Sequence, residues 1–301
     1  MDRNVIRGYL QLCRPANLPT AAADIAAGAA ISGGIASLLA GPEMQPHLIA
    51  GFLALLVASV FLYAAGVVLN DVFDLKTDLR ERPERPIPSG LIPWGHAAVF
   101  GAVLLVFGVV LAFLSRLESG IIALSLAAGI LIYDGLAKKH GFFGPLVMGM
   151  CRGLNLWLGM SLVPFSGAPG FVWIPVIYIF AITAVSRSEV SGGGKVSVLW
   201  AILLYALAIF SVGAITWVQK GHFWQMLPFL GFFAVLVYSP LLRAYREKTP
   251  GAIRKAVKAG VLGLIVMDAA WVAGFAQGYI ALLVLLLWPL SGLIARKFAV
   301  T

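Results

Sequence analysis

The chain is poor in charged residues. Only 12% of its 301 residues are Asp, Glu, Lys or Arg, whereas 60% are hydrophobic. This balance is far more apolar than that of a soluble globular domain. Apolar stretches of about 20 residues, the length that crosses the hydrocarbon core of a bilayer, recur along the chain. The composition therefore excludes an ordinary soluble enzyme and predicts a polytopic membrane protein.

Cysteine and histidine are also scarce. The two cysteines, Cys13 and Cys151, lack the spacing of metal ligands, and we interpret both as packing residues. The four histidines lie near segment ends without metal-ligand spacing, and no Ser-His-Asp arrangement can be assembled. These shortages exclude a zinc site, a disulfide scaffold and a triad hydrolase.

The apolar stretches predict an all-α fold: a transmembrane bundle of about nine to ten helices that forms a single domain over residues 1–301. The last stretch, 279–295, is an additional helix beyond nine. The predicted helices are 17–40, 47–70, 96–115, 119–136, 144–164, 171–187, 197–218, 222–242, 254–276 and 279–295.

The distribution of Lys and Arg predicts the orientation. The connections on one side carry nearly all the basic residues, whereas those on the other side carry only Arg116 and Lys220. Because basic loops stay in the cytoplasm, both termini are expected there, in a multi-pass protein of the cell inner membrane. The net charge of +9 is explained by this topology, so no nucleic acid partner is expected.

A row of acids follows the second predicted span. If that helix continues, Asn70, Asp71, Asp74 and Asp78 fall on one face. Such carboxylates repel each other near hydrocarbon unless a cation neutralises them, and their oxygens suit Mg²⁺, which shares its shell with substrate phosphates. The alternative is a solvated helix end with ordinary charges.

A loop rich in arginine and proline comes directly after the acids. Its prolines are expected to hold it extended and to aim Arg82 and Arg85, whose guanidinium groups can bind phosphate in bidentate fashion. Carboxylates with metal beside guanidinium groups would form a diphosphate clamp. The alternative is that these arginines only set the topology.

At these residues the chain resembles the UbiA superfamily of intramembrane prenyltransferases. The matching segments are the NDxxDxxxD motif at 70–78, the R-P-x-P-S-G-like stretch 85–90, and the segments 14–17, 133–139 and 151–155. The resemblance implies a central cavity open to the cytoplasmic side and the bilayer, with the isoprenoid tail in an apolar tunnel and an acceptor beside it. It also implies the substrates: a prenyl diphosphate and a small-molecule acceptor, among membrane lipids.

The resemblance also implies residue roles. Asn70, Asp71, Asp74 and Asp78 would bind Mg²⁺, and Asp71, Asp74, Tyr133 and Lys138 would be catalytic. Substrate binding would fall to Asn17, Arg82, Arg85, Lys139, Arg152 and Asn155. Lys138 and Lys139 could instead be topogenic charges, and Tyr133 an interfacial aromatic.

The family's second acidic motif is reduced to one carboxylate, Glu189, a further candidate metal ligand. Arg187 and Lys195 beside it are candidate substrate-binding cations that could replace part of a second metal's role. This Ser-Arg-Ser-Glu-Val form resembles a UbiA-like branch named EboC, encoded in bacterial ebo gene clusters.

Three functions remain open. The first is Mg²⁺-dependent transfer of a prenyl group to an aromatic or lipid-like acceptor. The second is binding or presentation of an isoprenoid lipid by a catalytically altered family member, which the reduced second motif favours. The third is a transporter that uses the intramembrane acids Asp24 and Asp268, which could equally be helix–helix hydrogen-bonding groups.

Overall fold

The structure is a computed structural model that describes residues 3–39, 46–164, 169–191 and 194–298, with residues 169, 187–191, 194 and 195 described by their backbone alone. These ranges contain helices and no strand, which confirms the all-α prediction. The α-helices are α1 (Arg3–Leu12), α2 (Leu18–Ile31), α3 (Gly34–Leu39), α4 (Pro46–Phe73), α5 (Leu75–Glu81), α6 (Trp94–Ser115), α7 (Leu117–Gly135), α8 (Phe143–Met160), α9 (Trp173–Ser191), α10 (Gly194–Val218), α11 (Phe223–Glu247), α12 (Pro250–Phe275), α13 (Gly278–Leu285) and α14 (Leu287–Lys297).

Seven helical segments in the described ranges are long and apolar enough to cross a membrane: α4, α6, α7, α10, α11, α12, and α13 together with α14. Many large apolar side chains on the outer helices are exposed, including Val106 and Phe107 of α6 and Phe210 of α10. Such surfaces would be costly in water but suit contact with lipid tails. The chain is therefore an integral, multi-pass membrane protein.

The centre of the bundle is formed by α2, which packs against α4, α8, α12 and α14. Its sequence is rich in alanine, and nearly all its residues are buried. Small side chains let the helix backbones approach closely: a Cβ added to Gly159 of α8 would lie 2.6 Å from the carbonyl oxygen of Ile25 in α2. This tight contact holds the elements that line the site.

Two predicted helices are divided. The segment 17–40 breaks at Ser32 and Gly33, where Gly33 adopts a φ of 79° that favours glycine, and α3 follows. The segment 279–295 is divided at Leu286 into α13 and α14. The other eight predicted segments each coincide with a helix, although several boundaries differ.

The N-terminal helix α1 was not predicted. It packs beside the loop before α6, where Gly8 lies against Leu91 and Ile92, and the ring of Tyr9 makes an edge contact with Phe100 of α6. Burial raises the pKa of the Cys13 thiol, just after this helix, to about 11, consistent with a packing residue. This helix fixes the position of the turn that carries Arg14.

Candidate active site

The acidic row lies on two helices rather than one. Helix α4 ends at Phe73, and Asp74 occupies the N-cap position of the short helix α5, with φ −89° and ψ 3°. The helix is thus interrupted at Asp74, although the amide of Asp74 still donates to the Asn70 carbonyl and that of Asp78 to the Asp74 carbonyl. Asp71 and Asp78, which are both almost fully buried, approach the same guanidinium group.

That guanidinium belongs to Arg85. Its Nη1 atom lies 3.1 Å from Asp71 Oδ1 and 2.8 Å from Asp78 Oδ2. The loop that carries it is folded rather than extended as expected, because the amide of Ser89 donates to the Arg85 carbonyl and that of Ile92 to the Pro86 carbonyl. Buried Ile92 anchors the loop in a small apolar core. Arg85 is thus held rigidly by turns.

A second arginine completes the cluster on Asp71. Arg14 Nη2 lies 2.6 Å from Asp71 Oδ1. Arg14 occupies the turn between α1 and α2 with a φ of 46°, a left-handed conformation that is uncommon for residues other than glycine. The turn directs the Arg14 side chain toward the end of α4, where Asp71 lies 57 residues further along the sequence.

Two residues at the end of α7 and beyond contact the acidic row. Lys138 Nζ lies 2.6 Å from Asp74 Oδ1 and over the ring of Phe73. Asp134 Oδ1 accepts a hydrogen bond of 2.7 Å from Asn70 Nδ2. The other oxygen of this buried carboxyl, Oδ2, has no hydrogen-bond partner within the described residues. Because the Asn70 amide nitrogen faces Asp134, its carbonyl oxygen remains available to another ligand.

These groups stand at one end of a cavity of about 330 Å³. Arg14, Asn70, Tyr133 and Asp134 line this end. The middle of the wall is largely apolar and is formed by Leu62, Tyr63, Gly66, Val67, Leu126, Ile130, Met148, Cys151, Ile179, Val261 and Leu264. A charged end that continues into an apolar space suits a ligand with a polar head and a hydrocarbon tail.

The other end of the cavity is polar again, lined by Thr20, Ser59, Arg152 and Asn155. Arg152 Nε lies 2.7 Å from Asp24 Oδ2, and Asn155 Nδ2 donates to the same oxygen at 2.8 Å. Ser59 Oγ in turn donates to Asn155 Oδ1 at 2.7 Å. These contacts join α2, α4 and α8.

The candidate residues are therefore divided between two places. Asn70, Asp71, Asp74, Asp78, Arg85, Tyr133 and Lys138 meet at the charged end, whereas Arg152 and Asn155 meet at the inner end. Arg82 is half-exposed, with its Nη1 atom 3.8 Å from Asp78 Oδ1. Asn17 is the N-cap residue of α2 and its side chain makes no capping hydrogen bond, while Lys139 is exposed. The side chains of Arg187, Glu189 and Lys195 lie outside the described residues.

Sequence reasoning missed two residues of the charged end, Arg14 and Asp134. Both stand inside segments that carried the family resemblance, next to Pro15 and Tyr133. Arg14 was counted only among the basic residues that set the topology, because nothing in its local sequence signals the turn that directs it to Asp71. An acid at the end of a membrane helix, as at Asp134, is itself a signal of function.

The donor set fits Mg²⁺ in chemistry. Within the described residues no three His, Cys, Asp or Glu side chains gather in a geometry that could hold a metal, because each aspartate of the row points at an Arg or Lys. The donors are carboxylate and amide oxygens, which Mg²⁺ prefers. The buried Asp134 Oδ2, which lacks a partner in the described part of the chain, adds a hard oxygen beside them.

The fold and this site define a class: a multi-pass helical membrane protein with an apolar cavity that ends in a cluster of aspartates, arginines and a lysine. The model of the UbiA prenyltransferase family matches residues 28–189. This match covers more than half of the chain, and the chain belongs to that family. The match includes α4, α7 and α8, which carry most of the site.

Similar curated proteins are digeranylgeranylglyceryl phosphate synthases. That of Saccharolobus solfataricus is 32% identical over 192 residues, which are 62% of this chain and 62% of the relative. That of Methanosarcina mazei is 33% identical over 191 residues, 62% of this chain and 64% of the relative. The chain thus matches less than two thirds of the length of these relatives.

Solved structures share the fold. One of digeranylgeranylglyceryl phosphate synthase has a TM-score of 0.68 at 23% identity, covering 91% of this chain and 99% of that one. A UbiA homolog from Archaeoglobus fulgidus bound to GPP and Mg²⁺ has a TM-score of 0.61 at 14% identity, covering 87% and 99%. The family and fold predictions are confirmed, while the assignment to the EboC branch stays a prediction.

Proposed function

We propose that this protein is an intramembrane prenyltransferase that transfers a prenyl group from an isoprenoid diphosphate to an acceptor within the bilayer, with Mg²⁺ as cofactor. The observation that carries the proposal is the charged end of the cavity. Four buried or half-buried carboxylates and four cations meet there, where the apolar wall begins: Asp71, Asp74, Asp78, Asp134, Arg14, Arg82, Arg85 and Lys138.

The charge balance of this end supports a requirement for metal. Three of its four carboxylates are already paired with its four cations, and the fourth, Asp134, accepts a hydrogen bond from Asn70 instead. A diphosphate alone would add several negative charges to this partly buried cluster, which is costly in a medium of low polarity. When bound, Mg²⁺ supplies positive charge that stabilises the departing diphosphate. The Mg²⁺-bound and GPP-bound homolog of the same fold supports this cofactor and substrate class.

The residues of the charged end are suited to the first chemical step. The C1–O bond of the prenyl diphosphate breaks, its electron pair leaves with the diphosphate, and an allylic cation remains. Arg14, Arg85 and Lys138 are positioned to exchange their carboxylate partners for diphosphate oxygens, where their charge stabilises the leaving group. The apolar wall excludes water that would otherwise capture the cation.

The second step joins the cation to an acceptor. A nucleophilic oxygen or carbon of the acceptor forms a bond to C1 and then loses a proton, so that the prenylated acceptor and diphosphate are the products. The relatives are named for a glyceryl phosphate product, which supports a lipid-like acceptor ahead of an aromatic one. Because these relatives match only part of this chain, a lipid-like acceptor is proposed for it and not taken over from them.

We also propose the orientation of the protein in the membrane. Both termini would lie in the cytoplasm of a cell whose inner membrane holds the protein, and the charged end would face the same side, where soluble prenyl diphosphates are available. The basic residues around α5 and after α7 support this orientation. No nucleic acid partner is expected.

A turnover assay tests the function. The purified protein in nanodiscs is given Mg²⁺, a labelled prenyl diphosphate and glycerol-lipid or phenolic acceptors, and products are identified by mass spectrometry. Prenylated product that disappears in Asp71→Ala and Asp74→Ala supports the transferase. Tight binding without product would favour a lipid-binding role instead, and flux of substrate across a sealed vesicle that depends on Asp24 and Asp268 would favour a transporter.

A further inference from the structure

The inner end of the cavity is polar. There, a polar floor formed by Thr20, Ser59, Arg152 and Asn155 ends the apolar wall. Arg152 also donates from Nη1 to Thr20 Oγ1 at 3.2 Å, so the floor residues are connected to one another as well as to the helices behind them. These hydrogen bonds make the floor a fixed part of the bundle rather than a set of mobile side chains.

Buried acids hold this floor from behind. Asp24 is almost fully buried in α2 and receives both Arg152 and Asn155, and Asp268 of α12 lies within hydrogen-bond reach of Asp24. Separating Arg152 from Asp24 would leave an unpaired charge inside the membrane, which is strongly unfavourable. A hydrocarbon tail therefore cannot push the floor aside.

The helices leave no room beyond the floor. Gly159 of α8 lies one turn past Asn155, and there the α8 backbone touches α2 so closely that an added Cβ would meet Ile25 at 2.6 Å from its oxygen and 2.7 Å from its Cα. Leu55 of α4, one turn past Ser59, is fully buried. The cavity ends at the polar floor because packed backbone stands behind it.

The depth of the cavity can be read from α4, which lines it from end to end. Asn70 at the charged end and Ser59 at the floor are eleven residues apart on this helix. At a rise of 1.5 Å per residue they are separated by about 16 Å. An isoprene unit lengthens an extended chain by about 5 Å, since it adds four carbon–carbon bonds of about 1.5 Å in a zigzag. The depth thus matches about three isoprene units.

We propose that the polar floor sets the prenyl chain length, so that the enzyme takes geranyl or farnesyl diphosphate, of ten or fifteen carbons, in preference to geranylgeranyl and longer chains. The inference rests on the proposed function and makes Thr20, Ser59, Arg152 and Asn155 specificity-determining residues. A tail of twenty carbons would have to displace the hydrogen-bonded floor or fold back on itself. The preferred chain is shorter than the geranylgeranyl groups in the names of the relatives.

The test places a larger side chain on the cavity wall, so that less of the cavity is open to the tail. Gly66 lines the cavity four residues from Asn70, about 6 Å along α4, and an added Cβ makes only ordinary contact with Ile130 at 3.4 Å. Gly66→Leu should leave room for about one isoprene unit. Gly231→Leu is the matched control, because Gly231 also lies within a long helix but faces open space outside the cavity.

The measurement is kcat/KM for diphosphates of five, ten, fifteen, twenty and forty carbons. For the wild type we expect at least a tenfold fall between fifteen and twenty carbons. Gly66→Leu should lose at least tenfold more kcat/KM on fifteen carbons than on five, while Gly231→Leu should follow the wild type at every length. Gly66→Ala, which adds one methyl group, should show a smaller loss on fifteen carbons and decides the question if the leucine variant does not fold.

Two results overturn the inference on its own: equal use of ten to forty carbons by the wild type, or a fifteen-carbon activity that neither Gly66 variant changes. Either would mean that the tail leaves the cavity sideways into the bilayer. Absence of turnover by the wild type with every chain length, including five carbons, would instead overturn the proposed function and with it this inference.

Discussion

The hydrogen bond between Asp134 and Asn70 is expected to prepare the metal site, and Asp134→Leu removes it. Asn70 Nδ2 donates to Asp134 Oδ1 at 2.7 Å, so Asp134 holds the amide with its carbonyl oxygen directed elsewhere. Without that acceptor the Asn70 side chain can turn over and present its nitrogen, which cannot bind Mg²⁺. Loss of such a supporting contact typically lowers metal affinity by about 10- to 100-fold.

Stability should change in the same variant. Asp134 is 3% exposed, and its replacement by leucine leaves the Asn70 amide without its acceptor in a mostly buried setting. A hydrogen bond to a charged group contributes about 1.5–3 kcal/mol, and we expect a loss of stability toward the lower end because leucine regains apolar contact. Asp134→Asn keeps an oxygen acceptor for Asn70 and should retain most of the affinity.

The assay is calorimetric titration of a prenyl diphosphate in the presence of increasing Mg²⁺, with thermal unfolding measured in parallel. Glu118→Gln is the control, because Glu118 is an exposed acid at the opposite end of the same helix. Unchanged Mg²⁺ dependence in Asp134→Leu would refute the reasoning. Equal damage in Asp134→Asn and Asp134→Leu would show that the charge, rather than the orientation of Asn70, matters.

Three further experiments test other parts of the account. Arg85→Lys replaces a guanidinium that bridges two carboxylates by a compact ammonium, and it should weaken diphosphate binding about tenfold in the same titration; unchanged affinity would remove Arg85 from the site. Arg152→Met should lower stability by about 3–5 kcal/mol, and adding Asp24→Leu should restore part of it in thermal unfolding, because Asp24 is then no longer a charge without its Arg152 partner, although Asp268 stays buried; equal instability of both variants would contradict the ion-pair argument. Lys248→Cys should react with an impermeant maleimide from the cytoplasmic side, and Lys220→Cys from the other side. The two positions are comparable because both are exposed and have similar φ angles of 55° and 57°. Labelling of both from one side would contradict the proposed topology.

The bundle could be predicted from the sequence because each membrane helix carries its own apolar signal. The helix α4 is an example, since nearly every residue before Asn70 is apolar and its bounds were predicted within a few residues. The shorter helices were missed for the same reason. α1 contains two arginines and has no long apolar run, and its position depends on contacts with residues far along the chain.

The residue types of the charged end could be predicted, but their pairing could not. The spacing of Asp71, Asp74 and Asp78 suggested one helical face, but it did not show that Asp71 and Asp78 share Arg85 while Asp74 pairs with Lys138. Arg14 reaches Asp71 through a turn whose left-handed conformation has no signal in local sequence. Contacts between distant segments depend on tertiary packing, which periodicity does not encode.

The partners of the buried acids at the inner end of the cavity could not be predicted from the sequence either. Asp24 and Asp268 were open to two interpretations, as functional acids or as hydrogen-bonding groups between helices. The structure supports the second for Asp24, which accepts from Arg152 and Asn155 across α2 and α8. Arg152, predicted to bind substrate, pairs with Asp24 and forms part of the floor.

Release of diphosphate tests the central claim most directly, because it reports breakage of the C1–O bond whatever the acceptor. The wild-type protein in nanodiscs is incubated with farnesyl diphosphate, with Mg²⁺ or with EDTA, alongside Asp74→Asn and the control Glu81→Gln, an exposed acid on the same short helix. The account predicts release that requires Mg²⁺, falls at least 100-fold in Asp74→Asn and persists in Glu81→Gln. Release that is unaffected by EDTA or by loss of Asp74 would contradict it.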